Sequence, residues 1–344
     1  MYEKVIELLE QKKYHELKSM LADMNEADIA SVLMELPQET LPLVYRILPK
    51  ELAADVFVNM ESDAQEFLIK AFSDTELREV LDELYVDDAV DIIEEMPANV
   101  VKRILMHTDP DVRKSINEIL KYPEDSAGSI MTIEYVDLKK YMTVDDAFTR
   151  IRRTGVDKET IYICYVTDDN RKLLGLVTVK DLLLSDKSKK MFEIMETNVI
   201  SVTTLEDKEI VADKFQKYDL MAIPVVDQEE RLVGIVTFDD AMDVLQDENT
   251  EDIEKMAAIT PTDKPYLKMG IVETWKKRVP WLLLLMVSAT FTGKIITSFE
   301  DALQAQIVLT SFIPMLMDTG GNCGGQSSVT IIRALSLGDV RFGD

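Results

Sequence analysis

The sequence predicts a multidomain chain. An all-α superhelical front is followed by a tandem α/β domain pair, a long connecting helix and an α-helical transmembrane segment. Three observations carry this: a twelve-residue apolar period over the first 120 residues, a duplicated block between residues 126 and 248, and a 21-residue run after residue 278 with one charge.

The first element is the front, residues 1–125. Met24, Leu36, Leu48, Met60, Phe72, Leu84 and Met96 recur every twelve residues. Turn or cap residues follow them, such as Pro37-Gln38-Glu39, Ser73-Asp74 and Pro97-Ala98-Asn99. Twelve residues hold a two-turn helix and a sharp corner, with Pro, Ser, Asp and Asn suited to helix starts. Helices this short cannot bury a face alone, so they should stack on one another into a superhelix.

The second element is the pair, expected at 126–190 and 191–248. Strand-like runs appear at Thr160–Thr167 and Leu173–Val179, and then the block recurs. Ile130-Met131-Thr132 returns as Ile194-Met195-Glu196, an offset of 64 residues. Leu174-Gly175-Leu-Val-Thr178-Val-Lys-Asp181 returns as Val233-Gly234-Ile-Val-Thr237-Phe-Asp-Asp240, an offset of 59. The spacing predicts a β-α-β-β-α unit used twice. The pairs Thr178/Asp181 and Thr237/Asp240 allow two readings. They can hold the ribose hydroxyls of an adenine nucleotide, because a carboxylate at a helix start accepts two hydrogen bonds, or they can simply cap their helices.

The third and fourth elements are the connecting helix, expected at 249–278, and the membrane segment, 279–344. Val279–Phe299 is about the length that a bilayer core requires. Lys276, Lys277 and Arg278 precede it and Glu300-Asp301 follow, which puts the N-terminal side in the cytoplasm. A second apolar stretch begins at Ala302 and runs into a glycine-rich sequence, Asp318–Ser328. There Gly320, Gly321, Asn322, Gly324, Gly325 and Gln326 are expected to line a polar pathway, since amides facing lipid would be costly. The chain is therefore expected in the cell membrane as a multi-pass protein in contact with lipid, its N-terminal domains cytoplasmic.

Charge sharpens the division. Lys and Arg number 38 and Asp and Glu 64, for a net charge of −26. Residues 261–344 carry eight bases and seven acids, so the body before them holds −27. Such a body excludes a sequence-independent nucleic-acid binder and admits a hard divalent cation, which prefers oxygen ligands. Cys164 and Cys323 lie far apart and read as reduced thiols. His15 and His107 are isolated, and no Ser/His/Asp or Cys/His array suggests an enzyme.

The duplicated Gly-x-x-Thr-x-x-Asp block resembles a pair of CBS domains. The whole order, ending in Gly-Gly-Asn-x-Gly-Gly-Gln-Ser, resembles the MgtE family of magnesium channels. That resemblance implies a homodimer whose cytosolic domains sense Mg²⁺ and lock a plug helix over a pore. It implies Mg²⁺ ligands at Asp87 and Asp91 in the front, and at Asp240 and Asp243 in the second CBS domain. It further implies Asp55 and Asp219 as a bridging pair, a carbonyl from Gly128, and acids at the start of the plug helix, Glu248, Glu251 and Asp252. ATP is implied as a second ligand, with Lys180 standing where the family commonly has Arg. Family members have five membrane helices, with a selectivity aspartate on the last, so the complete pore is expected to need helices beyond Asp344. The spacing agrees with the carry-over. Asp87 and Asp91 are four apart and Asp240 and Asp243 three apart, so each pair shares a helical face and repels itself unless a cation intervenes. The alternative reading is an adenine-nucleotide-sensing CBS module of another cation transporter.

Overall fold

The structure, a computed structural model, describes residues 2–262, 269–336, 340–341 and 343. It divides into two compact units, one up to Ala241 and one from Met242 onward.

The first unit begins with ten short helices. They are α1 (Tyr2–Glu10), α2 (Tyr14–Ala22), α3 (Glu26–Met34), α4 (Leu41–Tyr45), α5 (Lys50–Val58), α6 (Ser62–Ala71), α7 (Asp74–Leu81), α8 (Val86–Glu95), α9 (Ala98–His107) and α10 (Pro110–Ile119). From Tyr14 to Pro110 successive helices start twelve residues apart, with one exception. The register at residue 38 is delayed to Leu41, because Pro37 opens a turn closed by Thr40 N–H at 2.8 Å and Pro42 then occupies the first helical turn. The periodic apolar residues end their helices facing inward: Leu36, Leu48, Met60, Phe72 and Met96 are buried. Alternate helices stack, α3 on α5, α5 on α7, α7 on α9 and α8 on α10. Tyr45, Phe57 and Phe72 form a ring cluster with centroids 5.3–6.3 Å apart. Corners are held by capping, notably the Ser73/Glu76 box, and Arg103 reaches back to the Phe72 carbonyl at 2.7 Å.

Two three-stranded sheets follow. The first holds β1 (Val136–Lys139), β2 (Ile163–Thr167) and β3 (Leu173–Thr178), with α11 (Val144–Thr154) between β1 and β2. After β3 come α12 (Val179–Leu184) and α13 (Met191–Ile194). The second sheet holds β4 (Val202–Thr203), β5 (Ala222–Val226) and β6 (Leu232–Thr237), with α14 (Lys208–Tyr218) between β4 and β5. In both sheets the first pairing is parallel and the second antiparallel, so the duplication seen in sequence is a duplication of topology. The two repeated glycines have a specific task. Glu196 pairs with Leu176, and Thr132 pairs with Ile235, so the segment before each sheet crosses to the other domain. A Cβ on Gly175 would stand 2.5 Å from the Glu196 carbonyl, and one on Gly234 would stand 2.8 Å from that of Thr132. Gly128 is buried for a similar reason, packed against the Tyr122 ring with its amide donating to Thr204 O at 2.9 Å.

The connecting helix differs from its expected extent. α15 runs Phe238–Met256, starting directly after β6 with Asp239 and Asp240 in its first turn. The stretch to Arg278 is not one helix: residues 259–262 are irregular, which fits Pro261, and Asp263–Lys268 lie outside the described residues. Residues 271–278 instead join the apolar run as α16 (Ile271–Ser298). Its most apolar window has mean hydropathy 1.7 with none of it buried within the chain, and it is the one helix among the described residues long and apolar enough to cross a membrane. Then come α17 (Glu300–Ala305) and α18 (Phe312–Ser336). The glycine-rich sequence lies inside α18 as continuous helix, with Asn322 donating to Asp318 at 3.4 Å. Among its residues Gly320, Gly321, Asn322, Gly324, Gly325 and Gln326 are exposed in the single chain. Cys164 is buried and Cys323 exposed, both free.

Candidate metal centre

The twelve-residue register that buries Val86, Ala89, Val90 and Ile93 on α8 sends Asp87, Asp88 and Asp91 toward the paired α/β domains. Four acids from those domains act on them through their charge. Asp239 and Asp240 come from the first turn of α15, and Glu134 and Glu159 from the loops flanking β1 and β2. The two loops are tied together by Glu159 N–H donating to the Glu134 carbonyl at 2.9 Å.

Asp87 is only 8% exposed, and its Oδ1 has no hydrogen-bond partner. Burial, then the charges of Asp240, Asp88, Glu159 and Glu134, push its carboxyl well above the ordinary range. The neighbours respond alike. Burial followed by Asp239, Asp55 and Glu134 raises Asp88 to about 6. Asp91 keeps more solvent contact than Asp87, yet the protein around it, then Asp240 and Asp88, raises it to about 7. Burial raises Asp240 to about 7 against the opposing hydrogen bond from Thr237. Glu159 goes highest, to about 8, through burial and then Asp239, Asp88, Asp240 and Glu134. No base appears among the groups acting on any of these five carboxyls. A buried oxygen without a donor, surrounded by unneutralised carboxylates, is what a missing cation would satisfy. Among the described residues no three acids are close enough to cage a bare ion. The donor set therefore suits a hydrated one: Mg²⁺ keeps several waters and takes one or two carboxylates directly.

The other expected ligands fall elsewhere. Asp55 is exposed, raised by partial burial and by Glu26, Glu51 and Glu83, and it presses on Asp88. Asp219 is exposed and caps α14 in a left-handed conformation, φ 51°. Asp243 lies one turn beyond Asp240 on α15, in the second unit. Glu251 pairs with Lys255, and Asp252 meets Arg333 of α18 at 3.4 Å, while Glu248 acts on Lys255 through its charge. Asp88, Asp239, Glu134 and Glu159 were missed by sequence reasoning. Asp88 and Asp239 stand beside expected ligands, but the two glutamates sit in unrelated loops with no spacing signal.

At the nucleotide positions the capping arrangement is formed. Thr178 Oγ1 donates to Asp181 Oδ2 at 2.5 Å and accepts from Asp181 N–H at 3.1 Å. Thr237 Oγ1 donates to Asp240 Oδ2 at 2.5 Å.

Known proteins agree with this layout. The profile of the MgtE intracellular N domain matches residues 24–125, and that of the CBS domain matches 127–187 and 191–247. The chain is 38% identical over 342 residues to the magnesium transporter MgtE of Thermus thermophilus, covering 98% of this chain and 76% of that protein. The chain belongs to the MgtE family. The MgtE magnesium transporter of Bacillus subtilis is 33% identical over 337 residues, with 97% and 73% covered. A solved structure of the cytosolic domain of the Mg²⁺ channel MgtE in complex with ATP superposes with TM-score 0.67 at 35% identity. It covers 71% of this chain and all of that one. The chain thus spans about three quarters of the length of these MgtE relatives.

Proposed function

We propose that this chain takes part in Mg²⁺ transport across the cell membrane, with its acidic front and CBS pair acting as a cytosolic Mg²⁺ sensor. The observation that carries this reading is the partnerless oxygen of Asp87, buried where α8 faces acids from the CBS pair. Without a cation these carboxylates repel and favour separation. With Mg²⁺ they are drawn together, and the compact form gains whatever differential affinity the ion has for it. α15 starts at the site with Asp239 and Asp240, so closing the site constrains the helix that leads toward the membrane part. In this reading the assembly is a homodimer, the membrane part is multi-pass, α16 spans the lipid, and the glycines of α18 line the pathway with partner helices.

Limited proteolysis of the full chain in detergent tests the sensor. Mg²⁺ should protect the segment joining α10 to β1, and cleavage at equal rates with Mg²⁺ and with chelator would overturn the reading. A second ligand is favoured by the relative seen with ATP. ATP would bind where Thr178 and Asp181 now bond each other, exchanging that contact for the ribose. Calorimetry should show an ATP-binding event that Asp181→Ala removes.

A further inference from the structure

A cavity of about 480 Å³ opens at the end of the first sheet nearest the β2–β3 turn. Four bases line it, Lys139, Arg150, Lys158 and Arg171, against one acid, Asp137. In a body of charge −27 such a concentration of positive charge stands out.

Its bases are poorly neutralised. Asp137 is shared between Arg150 and Lys139, the latter at 3.6 Å. Lys139 otherwise spends its protons on Thr167 Oγ1 at 2.8 Å and the Asp168 carbonyl at 3.0 Å. Arg171 donates to the Tyr135 hydroxyl at 3.2 Å and the Leu232 carbonyl at 3.1 Å, both neutral. Lys158 is half-buried and has no hydrogen bond or ion pair among the described residues. Arg171 also holds a left-handed backbone, φ 67°, a conformation that side-chain-bearing residues adopt at a cost and glycine freely. Glu230 holds the same conformation in the matching turn of the second sheet, φ 62°, so the shape belongs to the repeated turn, and at Arg171 it carries a guanidinium to the cavity.

We propose that this cavity binds a polyphosphate group, whether free pyrophosphate or the phosphates of a nucleotide. Lys158 and Arg171 have no carboxylate partner among the described residues, and Lys139 and Arg150 share one; such a set is complementary to an oxyanion, and guanidinium groups bind it in a bidentate fork. The volume is that of an ordinary ligand pocket. Neither Thr178 nor Asp181 lines the cavity. It is also separate from the acids: Lys158 and Tyr135 line it, whereas their chain neighbours Glu159 and Glu134 act on the acidic centre.

The test is calorimetry on the full chain in detergent, with chelator and without Mg²⁺, titrated first with sodium pyrophosphate and then with ATP. Pyrophosphate should bind saturably. Lys158→Glu and Arg171→Gly should each weaken it at least tenfold, while Asp181→Ala should not change it. Arg171→Gly relieves the left-handed backbone, and thermal melting reports that each variant is folded. ATP binding that survives Asp181→Ala but falls with Lys158→Glu would identify a nucleotide as the source; pyrophosphate binding alone would identify the free anion. Absence of saturable binding at millimolar pyrophosphate, or equal affinity in folded Lys158→Glu and wild type, overturns the proposal.

Discussion

Glu159→Gln should stabilise the first unit when Mg²⁺ is absent and weaken its response when Mg²⁺ is added. Glu159 is half-buried, and its pKa rises from 4.5 to about 8. At about 1.36 kcal/mol for each pKa unit, that rise corresponds to about 5 kcal/mol of penalty on the charged form. Partial solvent access screens this, leaving about 2 kcal/mol for an uncharged isostere to recover at pH 8. For a unit of this size that is about 4–8 °C in melting temperature. Wild type should gain about 2.7 kcal/mol from Mg²⁺ at a hundred times its dissociation constant, and the variant clearly less, having lost one carboxylate of the centre. The assay is thermal unfolding in detergent at pH 8, with chelator and with Mg²⁺, checked by circular dichroism. A folded Glu159→Gln that melts at or below wild type in chelator would refute the argument that uncompensated carboxylates strain this site.

The same carboxylates set a pH dependence. Asp88, Asp91, Asp240 and Glu159 have folded pKa values raised to about 6, 7, 7 and 8. Their stabilising protonation is complete near pH 4 and is lost as pH rises through 6–8. Melting temperature in chelator should therefore fall between pH 5 and 8, and saturating Mg²⁺ should flatten the slope; a rise over that range would contradict the assignment. Gly175→Ala should cost about 1–3 kcal/mol, because its Cβ would meet the Glu196 carbonyl at 2.5 Å, and an unchanged denaturation midpoint would show that the crossing segment yields freely. Thr178→Ala should cost about 1 kcal/mol by removing the capping box of α12. Its effect on ATP affinity, read by calorimetry, separates a cap that also binds ribose from a cap alone.

Much of the architecture was legible because it is periodic. The twelve-residue recurrence of Leu36, Leu48, Met60 and Phe72 is a local statement about where short helices turn, and the helix starts follow it. The one delayed register, at Leu41, was hidden because two prolines shift a start without disturbing the apolar period. The helix that begins the connection, α15, starts inside the second CBS domain, whose profile runs to residue 247. Nothing in the composition separates Phe238–Gln246 from a domain's last helix, and the break that fits Pro261 matters more than the acidic run before it.

Within the candidate centre, Asp87, Asp91 and Asp240 were expected from the resemblance to the MgtE family, with their helical spacing in agreement. Glu134 and Glu159 were not. They are 25 residues apart in irregular loops, and only the backbone bond between them and the folding of β1 beside β2 bring their carboxylates to one place. The cavity basin of Lys139, Arg150, Lys158 and Arg171 was invisible for the same reason, being diluted in a sequence whose net charge is −26.

The sequence by itself determined the order of domains, the repeated topology, the long apolar run and the division between an acidic body and a near-neutral, apolar part. Those features follow from period, composition and local caps, which act over a few residues. Only the tertiary structure decided which of 64 acids share a site and which pair with bases. Charge interactions depend on distance through space and on burial, and neither quantity is written along the chain.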